Sequence, residues 1–499
     1  MSIVSKVRKG SLWIACTRLL TNGLGFVSTL VTARLLTPDD FGIVAIGMTI
    51  LTIVTSITDL SLSQALIHCE QPDEGHLNTA FTLNMFRGLI LGAVFVLSAP
   101  LVAEFYGDER LIPVMLAIAL AVFIQGLENP RLAMLKKDMI FWQDFVLGVI
   151  SKITMIVIAI TVALLTRSYI ALVAATVGSS LAQQIASYFF VPHRPRLRLK
   201  EYKDLLGFSG WMTLSQIVST LNWRLDPLIV GKFLGPFDLG LVTVASRLAQ
   251  LPVKETTVPL TGTLFPAFRQ IRDDAQRLAA AFMRAQTLIS AIAMLAGGLL
   301  SILAQPLVLL VMGEKWLPSV VIIQVLSVTL ALQTLGTVAY PLALATGQTR
   351  LLFRRSLQGL SFRLPIVMTG LYLDGLRGFL IARCILCFTS IMLDMLIVRE
   401  VAGLSHLRQL RGNWRTIAAF LTMSGATYLL GLGLDLGTAP LELAYTILLK
   451  GTLAALTYMF TMFVLWTAAG RPLGPEKEIS HLVSSLIIRG RQLSYFRSA

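Results

Sequence analysis

Charge is scarce in this chain. Only 14% of its 499 residues are charged, while 55% are hydrophobic and the mean hydropathy is +0.75. A soluble protein of this length has too little polar surface to cover so much apolar side chain, whereas lipid can solvate the excess. That excludes a soluble enzyme or binding module and leaves a membrane protein. Acidic residues are scarcer still, 27 Asp and Glu against 42 Lys and Arg, for a net charge of +15. In a membrane chain such an excess gathers in cytoplasmic loops beside anionic head groups, so it calls for no nucleic-acid partner. Four cysteines, Cys16, Cys69, Cys384 and Cys387, supply no disulfide framework. The Cys384-x-x-Cys387 spacing lies inside an apolar run and reads as two small buried side chains rather than a zinc or redox pair. No G-x-x-x-x-G-K-[ST] phosphate loop is present, so ATP hydrolysis is not expected.

Long apolar runs take up most of the sequence. Fourteen spans are expected, each near the ~20 residues that a bilayer crossing needs. Their cores are 12–36, 41–66, 79–103, 111–129, 143–166, 169–191 and 208–232, then 238–266, 279–304, 318–345, 352–373, 376–398, 415–436 and 442–467. The first is preceded by Lys6, Arg8 and Lys9 without a small-residue cleavage site, and reads as a retained helix. The final pair is the least integral to the core on this reading. Twenty-six Lys and Arg fall on the N-terminus, alternate loops and the C-terminus, against five on the opposite loops (Arg110, Arg167, Lys232, Lys315 and Arg377). That bias puts both termini in the cytoplasm. The tail spaces Ile479, Leu482, Val483, Leu486 and Ile487 on one helical face, as an interfacial amphipathic helix does. External loops are short, with scattered acids such as Asp39, Asp40, Asp108 and Asp374. This argues against an integral-membrane glycosyltransferase or polymer ligase; no enzyme activity is expected.

A repeat with an offset of 198 residues organises the chain. ARLLTPDDFGIVAI at 33–46 aligns without a gap on GKFLGPFDLGLVTV at 231–244, setting Pro38 on Pro236, Asp40 on Asp238 and Gly42 on Gly240. Further back, Trp13 falls on Trp211. Pro and Gly mark a sharp turn between two helices, and Asp suits an N-cap position. Six spans separate the copies, so both start on the same side and the repeats are parallel, an arrangement in which transporters rock one half against the other. The expected organisation is an all-α integral membrane fold. It has an N-terminal six-helix lobe at 1–192, a basic linker at 193–207 and a second six-helix lobe at 208–400. Two added helices at 401–470 and the tail at 471–499 complete it.

Many ionisable residues fall inside spans, and eleven of them are singled out by depth: Arg18, Asp59, Arg87, Arg224, Asp226, Arg247, Lys254, Glu255, Arg363, Arg383 and Asp394. Each would cost about 2.5–3.5 kcal/mol at a helix centre exposed to lipid, so they are expected to face a bundle interior or a water-filled cavity. Seven are basic and four acidic, a balance that suits a phosphate or diphosphate, which arginine binds bidentately. Depth and charge nominate Arg224, Lys254, Arg363, Arg18, Arg247 and Arg383 as substrate-binding cations. Asp226, Glu255 and Asp59 are nominated for ion or proton coupling. For Arg18, Arg87 and Asp394, within a few turns of the cytoplasmic face, a structural role by snorkelling is the alternative, and for the deeper charges it is inter-helix ion pairing. Pro252 and Pro259 bracket Lys254 and Glu255 and are expected to kink that helix.

The residues also carry a family resemblance. Leu35-Leu36-Thr37-Pro38-Asp39-Asp40-Phe41-Gly42, Asp59-Leu60-Ser61-Leu62-Ser63-Gln64-Ala65-Leu66-Ile67 and Arg247-Leu248-Ala249-Gln250-Leu251-Pro252 resemble Wzx-type polysaccharide flippases. So do His76-Leu77-Asn78-Thr79-Ala80-Phe81, Leu264-Phe265-Pro266 and Gly313-Glu314-Lys315-Trp316-Leu317-Pro318, the likeness covering about 5–400. The resemblance implies a superfamily shared with MATE exporters and MurJ, and two six-helix lobes around a cationic cavity. It also implies the task of moving undecaprenyl-diphosphate-linked oligosaccharide to the outer leaflet for exopolysaccharide or lipopolysaccharide assembly. Implied partners are that lipid, the membrane, and polysaccharide polymerase and export proteins. No cofactor is implied beyond a coupling proton or monovalent cation, and no metal. A MATE-like drug or metabolite exporter and a MurJ-like lipid II flippase are the competing expectations.

Overall fold

Among the residues that the structure describes, 3–59, 62–69, 72–202, 210–431 and 437–471, every element in the computed structural model is helical. The proposed tail helix at 479–487 lies outside them. The chain divides into two compact units, Met1–Val244 and Ala245–Ala499.

The first unit begins with α1 (Ile3–Leu35), α2 (Pro38–Ile57), α3 (Leu62–His68) and α4 (Glu74–Tyr106). It continues with α5 (Leu111–Gly126), α6 (Arg131–Lys137), α7 (Trp142–Thr166) and α8 (Ile170–Phe190). Thr37 caps α2. Its hydroxyl accepts from Asp40 N–H at 3.3 Å, while Asp40 Oδ2 accepts from Thr37 N–H at 2.9 Å. With Pro38 in the first turn, where its missing N–H costs nothing, the T-P-D-D sequence is a helix start written out in full. The cap is thus Thr37, and Asp40 is its partner three residues on. Asp73 plays the capping role for α4, accepting from His76 N–H at 2.9 Å. α7 packs on α8 and α1, and α5 packs on α4, α8 and α2. α5 and α6 meet at a 60° bend, so the run expected at 111–129 ends in a turn and a short basic helix.

α9 (Gly210–Gln270) is 61 residues long and α13 (Thr349–Ala402) is 54. At 1.5 Å per residue each is roughly 80–90 Å of helix, far more than one ~30 Å crossing uses. Each is broken, α9 at Gly235 and α13 at Asp374 and Gly375, between the runs the apolar pattern separates. The backbone stays helical through Pro252 and Pro259, so the interruption of α9 is the glycine and not the prolines.

The second unit also holds α10 (Ala275–Val311), α11 (Ser319–Thr337), α12 (Ala339–Ala345), α14 (His406–Gly431) and α15 (Pro440–Ala468). α14 and α15 are not peripheral to it: both pack on α10. Ser290 donates to Asn413 Oδ1 at 2.6 Å, and Tyr458 donates to the Ala291 carbonyl at 2.8 Å, inside a core of Met294, Leu335, Phe420 and Met423. Cys387 is buried and donates to the Thr329 carbonyl at 3.4 Å, while Cys384 is half-buried. Both thiols are free. Among the described residues, nine helices are long and apolar enough to cross a membrane, or ten if the bent pair counts as one span.

Candidate functional site

At the turn repeated in the sequence, the two copies come into close backbone contact within the first unit. A β-carbon on Gly42 would lie 1.7 Å from the carbonyl oxygen of Pro236, and one on Gly240 would lie 1.7 Å from that of Pro38. The contact is reciprocal: the glycine of each copy rests on the proline carbonyl of the other, as a local two-fold axis requires. Only a residue without a side chain permits this approach. The sequence aligned these four residues but could not show that the copies touch each other.

Other groups stitch the same end of this unit. Arg110 Nη1 meets Asp39 Oδ2 at 2.5 Å and its Nη2 meets Asp108 Oδ2 at 2.7 Å, beside the left-handed Gly107 that ends α4. Burial acts to raise the Asp108 carboxyl, but hydrogen bonds from the Arg110 side chain and backbone outweigh it and hold the pKa below its ordinary value. Tyr106 donates to the Leu228 carbonyl at 3.2 Å, and the Lys232 ammonium donates to the Phe105 carbonyl, 4.4 Å from the centre of the Phe105 ring. Asp40 Oδ1 accepts from Tyr169 N–H at 2.8 Å, so one carboxylate completes the start of α2 and fixes the turn before α8.

The nominated membrane charges divide by environment. In the first unit, Arg18 is half-buried on α1, Arg224 is exposed on α9, Asp226 is buried and Asp59 is exposed after α2. Two residues apart on a helix are about 200° around the axis, which accounts for the contrast between Arg224 and Asp226. In the second unit, Arg247 and Lys254 are exposed, Glu255 is half-buried, and Arg363 and Arg383 are buried on α13. Lys254 Nζ donates to Gln250 Oε1 at 2.6 Å, one turn back. Asp226, Arg247, Glu255, Arg363 and Arg383 each have an interaction partner, as does Asp59. Arg87 is structural: its Nη2 donates to the Thr55 carbonyl at 2.9 Å and its Nε to the Thr58 hydroxyl at 3.3 Å, completing the C-terminus of α2. Among the described residues no group of three or more His, Cys, Asp or Glu could hold a metal.

Residues 31–321, which contain both copies of the repeated turn, match the family described as polysaccharide biosynthesis protein. The chain belongs to that family. Among its relatives, the lipopolysaccharide biosynthesis protein WzxC of Escherichia coli (strain K12) is 24% identical over 449 residues, 87% of this chain and 89% of that protein. The succinoglycan biosynthesis transport protein ExoT of Rhizobium meliloti (strain 1021) is 27% identical over 345 residues, 68% of this chain and 69% of that one. Of the solved structures, the lipid II flippase MurJ in an inward closed conformation superposes with a TM-score of 0.71. It covers 92% of this chain and 100% of that one at 15% identity, a likeness of fold. The Wzx-type resemblance read from the motifs therefore stands, the fold is like that of MurJ, and this member of the family is a multi-pass membrane protein.

Proposed function

We propose that this chain is a flippase. It would translocate undecaprenyl-diphosphate-linked oligosaccharide repeat units from the cytoplasmic to the periplasmic leaflet, by alternating access through a cationic cavity. The observation that carries the reading is the reciprocal contact of the repeated turns at Gly42 and Gly240. The closest approach is backbone and glycine, and the side chains that cross beside it, Tyr106 and Lys232, only reach main-chain carbonyls, so nothing long has to be unthreaded when it parts. That suits a gate between two repeats. The family, and relatives named for lipopolysaccharide and succinoglycan biosynthesis, point to a polysaccharide precursor as the cargo.

On this reading the chain crosses the membrane fourteen times. α9 and α13 each supply two crossings about their breaks, and both termini are cytoplasmic. The stitched end around Asp39, Arg110 and Gly42 is then external, with the lobes at 1–192 and 208–400. Arg224, Lys254 and Arg363 hold the diphosphate, with Arg18, Arg247 and Arg383 as further cations, while Asp226, Glu255 and Asp59 take the coupling proton or cation. The lipid tail stays in the bilayer throughout, so only the charged head group and the sugar need a polar path.

The test is the sidedness of lipid-linked oligosaccharide in cells with and without the gene, by external labelling of intact against lysed cells. Accumulation of the complete unit on the inner leaflet in the deletion strain is the expected result. Normal outer-leaflet sugar there, with no redundant flippase present, overturns the reading. Arg224→Ala and Arg363→Ala are each expected to lower complementation at least about tenfold, the effect of losing one charge-assisted contact. Wild-type transport by both would remove the cavity assignment while leaving the flippase reading intact.

A further inference from the structure

The segment that leaves α8 is docked by its backbone, which leaves its side chains unspent. Arg196 N–H donates to Asn78 Oδ1 at 2.8 Å, Arg198 N–H to Thr82 Oγ1 at 3.0 Å, and Glu201 N–H to Thr79 Oγ1 at 3.4 Å. Upstream, Asn129 Nδ2 donates to the Val191 carbonyl at 2.7 Å and Arg131 Nη1 to the Pro192 carbonyl at 3.1 Å. Docking through N–H groups two residues apart is the habit of an extended chain. Residues 194, 196 and 198 therefore share one face and 195, 197 and 199 the other. The first face is Arg-Arg-Arg and the second Pro-Leu-Leu. All three arginines are exposed, and no carboxylate among the described residues lies within ion-pair distance of them.

These arginines close a cavity of about 580 Å³ with Arg131, His193 and Glu74. Glu74 is neutralised by Arg131, whose Nη2 lies 2.6 Å from its Oε1. His193 lies at the cavity wall with its side chain only 2% exposed, and its Nε2 has no hydrogen-bond partner. Its Nδ1 is 3.9 Å from Glu74 Oε2, too far for a hydrogen bond. Burial, helped by Arg131 and opposed by Glu74, lowers the imidazole pKa below its ordinary value, so at neutral pH the ring is neutral and keeps one N–H to give. A buried polar nitrogen without a partner, in a pocket with four guanidiniums and one carboxylate, is a site waiting for an anion.

We propose that this cavity binds a phosphate-bearing anion, gripped by Arg194, Arg196 and Arg198 and completed by a hydrogen bond from His193 Nε2. The phosphate can come from the head group of an anionic membrane lipid or from a soluble phosphate. Leu197 and Leu199, 64% and 47% exposed on the opposite face of the segment, favour the lipid, because they can enter the acyl layer while the arginines hold the head group. The site does not depend on the transport reading.

Two binding measurements on the full-length purified protein test it. One counts phosphatidylglycerol against phosphatidylcholine retained from mixed detergent micelles, by native mass spectrometry. The other titrates inorganic pyrophosphate calorimetrically. The variant is Arg194→Ala/Arg196→Ala/Arg198→Ala, which keeps every docking N–H, with Arg269→Ala/Arg272→Ala as a control for general charge loss. Wild type and control are expected to retain phosphatidylglycerol at least about tenfold better than the triple variant, the effect of losing one charge-assisted contact. His193→Ala is expected to weaken retention in the same direction. Pyrophosphate binding lost in the variant, without lipid selectivity, would make the ligand soluble. If the triple alanine variant does not fold, the Arg→Lys triple, which keeps charge but not the planar fork, is expected to show weakened retention. Equal phosphatidylglycerol retention by wild type and folded variant, with no pyrophosphate binding by either, overturns the proposal.

Discussion

At Gly42 and Gly240 a single hydrogen stands where any other residue would put a methyl group. In Gly42→Ala the Pro236 carbonyl would have to retreat from 1.7 Å to the ordinary contact range of 3.4–4 Å, and Gly240→Ala asks the same of Pro38. Each substitution is expected to destabilise the closed turn contact by about 1–3 kcal/mol, as other overpacked sites do. The double variant should cost less than the sum, because the first substitution already parts the turns. Spin labels at Asp39 and Phe237, compared in the parent, single and double variants, would report the separation directly. An unchanged distance in both single variants would mean that the contact is not closed in the membrane. Nearby, the depressed Asp108 carboxyl contributes stability in full above its ordinary pKa of 3.8, and loses it as pH falls through the lower folded value. Arg110→Ala removes both Asp39 and Asp108 contacts and with them that acid sensitivity. At an exposed guanidinium the loss is expected to be no more than about 1 kcal/mol, read as a shift in thermal midpoint that shrinks on acidification.

Among the helices, the apolar pattern is easy to read and the breaks within it are harder. The pattern separates 208–232 from 238–266 and 352–373 from 376–398, and Gly235 and Asp374–Gly375 interrupt α9 and α13 between those runs. What the residues do not reveal is that Pro252 and Pro259 leave the helix running, since neighbouring packing can absorb a proline and a pattern cannot report it. Gly235, with φ 85° and ψ 178°, occupies a region that is essentially glycine's alone. Gly235→Ala is expected to cost about 1–3 kcal/mol and to lower the thermal midpoint, whereas Pro252→Ala should not. The reverse order would place the hinge of α9 at the proline. The place of α14 and α15 was likewise hidden. Asn413 and Tyr458 look like ordinary polar interruptions until Ser290 and the Ala291 carbonyl are found beside them. Asn413→Leu with Tyr458→Phe is expected to loosen α14 and α15 from α10. Each bond is worth about 0.6 kcal/mol, at most about 1.7, seen as faster hydrogen exchange along α15.

For the molecule as a whole, the bias of twenty-six basic residues against five is a statement about the membrane rather than about packing. It predicts that a green fluorescent protein fused after Ala499 fluoresces, and that alkaline phosphatase at the same place is inactive. An active phosphatase fusion would invert the orientation, and with it the direction assigned to the gate.

Composition alone decided that this chain lives in lipid, because no rearrangement of 55% hydrophobic side chains makes a soluble surface. The sequence also determined the repeat, the turn marked by Pro38 and Gly42, and the family motifs, since each is read from residue types and spacing without any packing. Tertiary structure decided the rest: that the repeated turns clasp each other, that Arg87 completes α2, and that the segment after α8 folds back on Asn78 and Thr82, with His193 Nε2 buried and without a hydrogen bond. Those facts join residues from 29 to 202 positions apart. Spacing can report which face of a helix a residue occupies, but not what is packed against that face.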